Sequence, residues 1–318
     1  MIYLITGGAG FMGSNFLLYM IDKYPSDIFI NVDKLTYASN KEYLKSVESL
    51  DNYIFIKGDI CNKDLLKEIF QKYQIDCVVN FAAESHVDNS IENPESFFYT
   101  NIIGTSNLLE YCRIFNVKKY HQISTDEVYG DVDIESTGSF SEVDTLNPNN
   151  PYSASKASAD LICLSYYKTF GLSVTISRSA NNMGPNQNEE KLIPKIINNA
   201  IRNKPIPIYG YGTNVRDWIY VDDHSSAVDL IIQSGVAGNI YNVSAQNPIS
   251  NIKLAMLILN KMNKQDSLLK FVEDRKAHDE KYAMNTFKIQ QLGWRPKYSF
   301  KNALERTITL LCNQFSKD

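Results

Sequence analysis

Cysteine is scarce in this chain and shows no pattern. The five present (Cys61, Cys77, Cys112, Cys163, Cys312) are odd in number, scattered, and nowhere spaced C-x-x-C. That argues against a disulfide framework and against structural zinc, and fits free thiols in a reducing compartment. No apolar stretch reaches about 18 residues, the length that a membrane-spanning helix needs. Runs of like charge are missing too, and the net charge of −4 is spread over both halves. Nucleic acid and anionic membrane surfaces are therefore poor candidates for partners. Ile2-Tyr3-Leu4-Ile5 leads straight into glycine, without a basic n-region or an h-region of signal-peptide length. Internal repeats and low-complexity tracts are also lacking. A soluble, cytoplasmic protein acting on small molecules, with no metal site, is expected.

What is present is enough apolar residue to build a large core: 44% of 318 residues, which fits one large domain or two. In the first half, short apolar runs at 2–6, 28–32, 53–56, 77–81, 119–124 and 173–177 read as strands. Stretches with helical apolar spacing at 14–23, 63–73 and 96–115 separate them. Repeated βαβ units predict an α/β fold, a doubly wound parallel Rossmann sheet with its ligand crevice at the carboxyl ends of the strands. After Arg178, Pro185, Pro194, Pro205, Pro207, Gly210 and Gly212 break the pattern. The expected division is a dinucleotide-binding domain at 1–178, with 221–243 returning to its sheet, and a smaller mixed α/β substrate domain at 179–318.

Gly7-Gly8-Ala9-Gly10-Phe11-Met12-Gly13 follows the first strand and precedes a helix expected to open at Ser14. Glycines there let the backbone approach a pyrophosphate, and the helix amino terminus offers it free N–H groups. Asp33 ends the second strand 20 residues after Gly13 (33 − 13). A carboxylate at that point accepts from both hydroxyls of an adenine ribose and repels a 2′-phosphate, so NAD is expected rather than NADP. Asp59, followed by Ile60, is placed to reach the adenine or else to cap a turn. Ala82 and Ala83 are small where a larger side chain would obstruct the cofactor.

Tyr152 and Lys156 are four residues apart and share one face of an expected helix. An ammonium near a phenol lowers its pKa, which suits Tyr152 to taking a hydroxyl proton during hydride transfer. Thr125, Asp126 and Glu127 follow the strand at 119–124, where a parallel sheet opens into its crevice. Adjacent carboxyls tend to split their pKa values, leaving one as acid and one as base. Hydride transfer alone has no need of such a pair.

With these motifs the chain resembles the nucleotide-sugar 4,6-dehydratases of the extended short-chain dehydrogenase/reductase family. Further matches are Asp33-Lys34-Leu35-Thr36-Tyr37-Ala38, Phe81-Ala82-Ala83-Glu84-Ser85-His86-Val87-Asp88, Ser124 to Gly130, Tyr152 to Ser158, Glu190-Lys191-Leu192-Ile193-Pro194 and Asn214-Val215-Arg216-Asp217-Trp218. The resemblance implies a tightly bound NAD regenerated in each turnover. Tyr152, with Lys156 and Thr125, would deprotonate the 4-hydroxyl as C4 gives up hydride. Glu127 would take the C5 proton, Asp126 would protonate the departing 6-hydroxyl, and hydride would return to C6. The product is a 4-keto-6-deoxy sugar for deoxysugar and polysaccharide biosynthesis.

By the same resemblance Gly7, Gly10, Phe11, Met12, Gly13, Asp33, Asp59, Ile60, Ala82, Ala83, Tyr152 and Lys156 would hold the cofactor. The substrate would meet Ser85, His86, Asn182, Lys191, Pro207, Tyr209, Arg216, Arg275 and His278, with Arg216 on the diphosphate. A homodimer pairing helices 96–115 and 152–170 is implied as well.

Departures from the family pattern fall mainly where substrate is gripped. They are Met and Asn for aromatic residues in Asn181-Asn182-Met183-Gly184-Pro185-Asn186-Gln187, Glu189 for proline, Asn89 for arginine, Ser244-Ala245 for a glycine pair, and Arg275-Lys276-Ala277-His278-Asp279 without its usual centre. The nucleotide base and the sugar substituent at C2 stay open: dTDP-glucose leads, with UDP-glucose and UDP- or GDP-N-acetylglucosamine as alternatives. Sugar 4-epimerases of the same family lack the Asp-Glu pair. A non-catalytic NAD-binding scaffold would have lost Tyr152, Lys156 or Glu127, and all three are present.

Overall fold

The computed structural model describes residues 1–274 and 278–315. Strands β1 (Ile2–Thr6), β2 (Ile28–Asp33), β3 (Tyr53–Lys57), β4 (Cys77–Asn80), β5 (Lys119–Thr125) and β6 (Val174–Ser179) arise from the apolar runs of the first half. They are followed by β7 (Asn181–Met183), β8 (Ile206–Tyr209), β9 (Val215–Tyr220), β10 (Ile240–Val243), β11 (Pro248–Ser250) and β12 (Leu269–Val272). The main sheet has the order β10-β6-β5-β4-β1-β2-β3, and every pairing in it is parallel. The chain starts at β1, winds outward to β3 and returns beside β1 as β4. The loops after β1 and β4 therefore diverge and leave a crevice between them.

Both faces of this sheet are covered, which is why its strands are almost continuously apolar. Along β1 the faces alternate: Leu4 packs with Ile30, Val78 and Leu108 on one side, Tyr3 and Ile5 with Phe16, Phe29 and Val79 on the other. Each fully buried Leu or Ile contributes about 1.5–3 kcal/mol. Beyond β6, a second core gathers Met183, Ile206, Trp218 and Tyr220 with apolar faces of the helices Leu192–Ile201, Asn251–Lys261 and Phe300–Phe315. Two small sheets belong to this region, β11-β9-β7 and β12-β8. Among the described residues no helix is long and apolar enough to cross a membrane.

Two helices differ from expectation. The first begins at Phe11 rather than Ser14, with Gly10 as its N-cap. Gly13 sits inside the first turn because a Cβ there would stand 2.3 Å from the Gly7 carbonyl oxygen. The helix expected at 96–115 is instead an α-helical turn (Pro94–Phe97), a π-helical segment (Phe98–Gly104) and an α-helix (Thr105–Ile114). Asn101, in the widened turn, accepts from the Glu84 amide and donates to the Glu84 carbonyl and the Ser155 hydroxyl at 2.8–3.0 Å. Apolar spacing cannot reveal such a turn, because tertiary hydrogen bonds hold it in place.

Candidate active site

A cleft of about 430 Å³ opens at the carboxyl ends of the sheet strands, between the first-half loops and the region beyond β6. Gly7, Gly10, Phe11, Met12 and Gly13 line its floor. Gly7 adopts φ +69°, and a Cβ there would lie 2.5 Å from the Ala82 amide nitrogen, so the loops after β1 and β4 leave the sheet backbone to backbone before they part around the cleft. No side chain caps the helix at Gly10. Its first N–H groups are thus free to bind an anion, with the helix dipole adding to the attraction. Asp33 is aimed by the loop itself: one carboxylate oxygen accepts from the Ala9 amide at 2.9 Å, the other from the Leu35 amide at 2.8 Å. Ile60, Ala82, Ala83, Ser85 and His86 lie along the same cleft. Asp59 lines it too, but is committed to Lys34 at 2.8 Å and to the Cys61 amide at 2.8 Å. These features fit a dinucleotide with an unphosphorylated adenine ribose.

Tyr152 and Lys156 stand on the helix Pro151–Phe170, whose start is strongly specified. Pro151 occupies the first turn, Asn150 accepts from the Ser153 amide at 2.9 Å, and the Ser153 hydroxyl accepts from the Asn150 amide at 3.2 Å. A cap of this kind is worth about 0.5–2 kcal/mol. Lys156 is buried and donates to the Ile123 carbonyl at 2.5 Å. Burial lowers its pKa to about 8, opposed by Asp160. The Tyr152 phenol runs against expectation: burial and then the Glu127 carboxylate push it upward, with the Thr125 hydroxyl opposing. A buried cation whose hydrogen bond goes to a backbone carbonyl does not offset that desolvation.

Asp126 and Glu127 occupy the 3-10 turn Asp126–Tyr129 that follows β5 directly. Thr125 shapes the turn, its hydroxyl accepting from the Glu127 amide at 3.3 Å and donating to Asp126 Oδ1 at 3.2 Å. Asp126 Oδ2 is buried with no partner among the described residues. Burial, then Glu127 and Asp217, raise the Asp126 pKa well above the carboxylate range. Glu127 is raised as well, chiefly by burial, with Arg216 pulling it back. One cleft thus holds two adjacent carboxyl groups, both raised above the ordinary carboxylate range by burial, Asp126 with Glu127 as a further cause.

On the opposite wall Arg216 is almost wholly enclosed. Its guanidinium donates to the carbonyls of Val215, Asp279 and Glu280 at 2.8–3.4 Å and lies 4.3 Å from the Tyr282 ring centre. Lys191 donates to the Ser85 carbonyl at 2.8 Å, tying the segment before helix Leu192–Ile201 to the loop after β4. Asn182 donates to Ser179 and to the Ala180 carbonyl. Pro207 and Tyr209 project from β8 into the cleft, and His278, paired with Asp274 at 2.6 Å, meets the Tyr209 ring edge-on. Arg275 lies outside the described residues.

Sequence reasoning missed Thr100, Asn251 and Tyr282, all of which line the cleft. For Asn251 the signal exists only in three dimensions. Its Oδ1 is buried without a partner among the described residues, as are Asn181 Oδ1, Asn182 Oδ1, Gln187 Oε1 and Trp218 Nε1, all on the same cleft. Such a concentration of unsatisfied polar atoms fits a cleft made for a polar ligand.

A parallel dinucleotide fold with a Tyr-x-x-x-Lys helix defines the short-chain dehydrogenase/reductase class, to which the Asp126-Glu127 carboxyl pair adds acid–base machinery. The family profile described as GDP-mannose 4,6 dehydratase matches residues 4–307. The dTDP-glucose 4,6-dehydratase of Haemophilus influenzae is 41% identical over 96% of both chains. The crystal structure of a dTDP-glucose 4,6-dehydratase from Streptomyces venezuelae, with NAD bound, is 40% identical, covers 100% of this chain and 98% of its own, and superposes with a TM-score of 0.96. A UDP-glucose 4-epimerase from Thermotoga maritima superposes almost as well (TM-score 0.91, 99% of both chains) at 28% identity. The chain belongs to the nucleotide-sugar 4,6-dehydratase family of extended short-chain dehydrogenases/reductases.

Proposed function

We propose that this protein is a hydro-lyase that dehydrates a nucleotide-activated glucose, dTDP-glucose foremost, to its 4-keto-6-deoxy derivative. The observation that carries this reading is the Asp126-Glu127 pair, Asp126 buried and Glu127 half-buried, facing the same cleft as Tyr152 and Lys156. The fold is shared with an epimerase, so the fold alone does not decide the reaction. Gly7, Gly10, Phe11, Met12 and Gly13 hold the pyrophosphate of NAD, Asp33 its adenine ribose, and Asp59, Ile60, Ala82 and Ala83 line its path. NAD, when bound, supplies the oxidising equivalent at C4 and the reducing equivalent at C6.

Tyr152 takes the 4-hydroxyl proton as its phenolate, a form that burial disfavours and that the Thr125 hydroxyl, the Lys156 ammonium and, when NAD is bound, the cationic nicotinamide would favour. The 4-keto group then acidifies C5; Glu127 removes that proton, and Asp126 gives its own to the 6-hydroxyl so that water departs. Glu127 finally returns its proton to C5. Arg216, Lys191 and Asn182 face the sugar diphosphate, Pro207, Tyr209 and His278 the nucleoside, and Ser85 and His86 the sugar. The units that do this are residues 1–178 with 221–243 for the cofactor and 179–318 for the nucleotide sugar, acting in the cytoplasm in deoxysugar synthesis.

Incubation with dTDP-glucose, UDP-glucose, UDP-N-acetylglucosamine and GDP sugars should yield one product lighter by one water, read by mass spectrometry. No mass loss with any of them would overturn the proposal.

The working form is a homodimer. Phe98, Tyr99 and Ile103 on one helical segment and Leu161, Tyr167 and Phe170 on another are large apolar side chains left exposed, Tyr99 at 57% and Leu161 at 60%. Patches of this kind mark interfaces. Light scattering should give twice the chain mass for the wild type and a single chain mass for Leu161→Glu.

A further inference from the structure

Tyr152, Lys156 and Asp160 follow one another at four-residue spacing on the helix Pro151–Phe170; Tyr152 lines the cleft, and Lys156 and Asp160 are buried beneath it. Asp160 is fully buried, and its Oδ2 accepts from Arg178 Nε at 2.9 Å. Arg178, on β6, is 2% exposed. Its guanidinium carbon stands 4.6 Å from the ring centre of Tyr129, the last residue of the turn that carries Asp126 and Glu127. Tyr129 is fixed in its turn: its ring stacks on Phe140 at 5.1 Å, and its hydroxyl donates to Asn242 at 2.8 Å. A single planar guanidinium therefore touches both the helix bearing Tyr152 and Lys156 and the turn bearing the carboxyl pair.

A pair this deeply buried is a costly way to gain stability. Asp160 Oδ1 and Arg178 Nη1 even lack partners among the described residues. Its geometry suits another task, that of setting a distance between two catalytic elements.

We propose that Arg178, braced between Asp160 and Tyr129, is a positioning residue that holds the elimination turn in register with the oxidation helix. Tyr152 and Lys156 ride on a well-capped helix and keep their place without it. The four-residue turn Asp126–Tyr129 is located at its start by Thr125 and the β5 strand, in its middle by the Asn147 amide on the Val128 carbonyl at 3.1 Å, and at its end by Tyr129 and this contact. Loosening the contact should therefore slow water loss and spare oxidation at C4. A misplacement on the order of 1 Å costs about 10²-fold in rate.

The proposal rests on the dehydratase reading, and the test keeps the two apart. In Tyr129→Leu the Asp160–Arg178 pair remains but the ring beneath the guanidinium is gone. Mixed with dTDP-glucose in a stopped-flow absorbance experiment, it should accumulate reduced nicotinamide on the enzyme while water loss falls about 10²-fold. Tyr129→Phe, which keeps the ring beneath the guanidinium and loses the hydroxyl's bond to Asn242, should lie far nearer the wild-type partition between the two steps than Tyr129→Leu. Arg178→Lys, which keeps the charge opposite Asp160 and loses the planar fork, should behave like Tyr129→Leu and gives a second reading if that variant does not fold. Equal slowing of both steps in Tyr129→Leu and Arg178→Lys, or a Tyr129→Phe variant as defective as Tyr129→Leu, overturns the positioning role and leaves the dehydratase reading intact. A wild-type protein that neither reduces nicotinamide nor loses water overturns both.

Discussion

Glu127→Gln is expected to stop water loss, by roughly 10²–10⁴-fold, while leaving sugar-dependent reduction of nicotinamide in place. The amide is isosteric with the carboxyl group and cannot take the C5 proton. Tyr152, Lys156 and Thr125 are untouched, so oxidation at C4 proceeds and the cycle stalls there. Rapid mixing with dTDP-glucose would show nicotinamide absorbance rising without the loss of 18 mass units (~18, one water) that accompanies turnover. Unchanged turnover would remove Glu127 from the reaction.

The pH dependence follows from the same geometry. Burial raises the Glu127 pKa, so its basic form persists only down to a pH above that of an ordinary glutamate. Water loss should fall as pH drops through that raised value. Asp126, raised further, keeps its proton well above the carboxylate range, and its donating role fails only as pH climbs through its own value. For stability the sign is opposite to that of a salt-bridged carboxylate. Both folded-state values lie above the unfolded ones, so the folded protein binds more protons. The stabilising contribution is complete at low pH and is lost as pH rises through the raised values.

Tyr152→Phe is expected to abolish both steps together, nicotinamide reduction and water loss falling by roughly 10²–10⁴-fold in parallel. Without the phenolic oxygen nothing else at that position receives the 4-hydroxyl proton, and no keto group forms to acidify C5. The contrast with Glu127→Gln is the discriminating result: one variant stops before oxidation, the other after it. If Tyr152→Phe still accumulated reduced nicotinamide at the wild-type rate, the proton would be leaving by another route. Lys156 adds a pH signature to this step. Burial draws its pKa to about 8, so its positive charge, which favours a phenolate beside it, disappears as pH rises through that value. C4 oxidation should decline on the alkaline side of about 8. The corresponding stability term also has a definite sign. The folded value lies below the ordinary 10.5, so the cost of charging Lys156 is present below about 8 and fades as pH rises from there toward 10.5.

Much of this site was legible in the chain because the signals are local. Gly7 to Gly13 are recognisable since a tight turn after a strand and the first turn of a helix each restrict the residues that can stand there. The four-residue spacing of Tyr152 and Lys156 places them on one helical face whatever surrounds the helix. Asp126 and Glu127 are marked by their place at the end of a parallel strand. The order of apolar runs was sufficient for the doubly wound sheet. The π-helical turn at Phe98–Gly104 was not legible, because hydrogen bonds from Asn101 to residues far along the chain create it.

Residue type and spacing along the chain specify which groups exist and which local frames carry them: a glycine cradle, an acidic strand end, a Tyr–Lys helix and an Asp-Glu turn. Only the tertiary structure decided their chemical state and company. It buries Asp126 beside Glu127 so that its pKa rises, raises Tyr152 where adjacency to Lys156 predicted lowering, and brings Asn251 and Tyr282 to the cleft. It also sets Arg178 between Asp160 and Tyr129. The physical reason is the same in each case. Desolvation and long-range contact depend on what the fold packs around a group, and spacing along the chain carries no record of that.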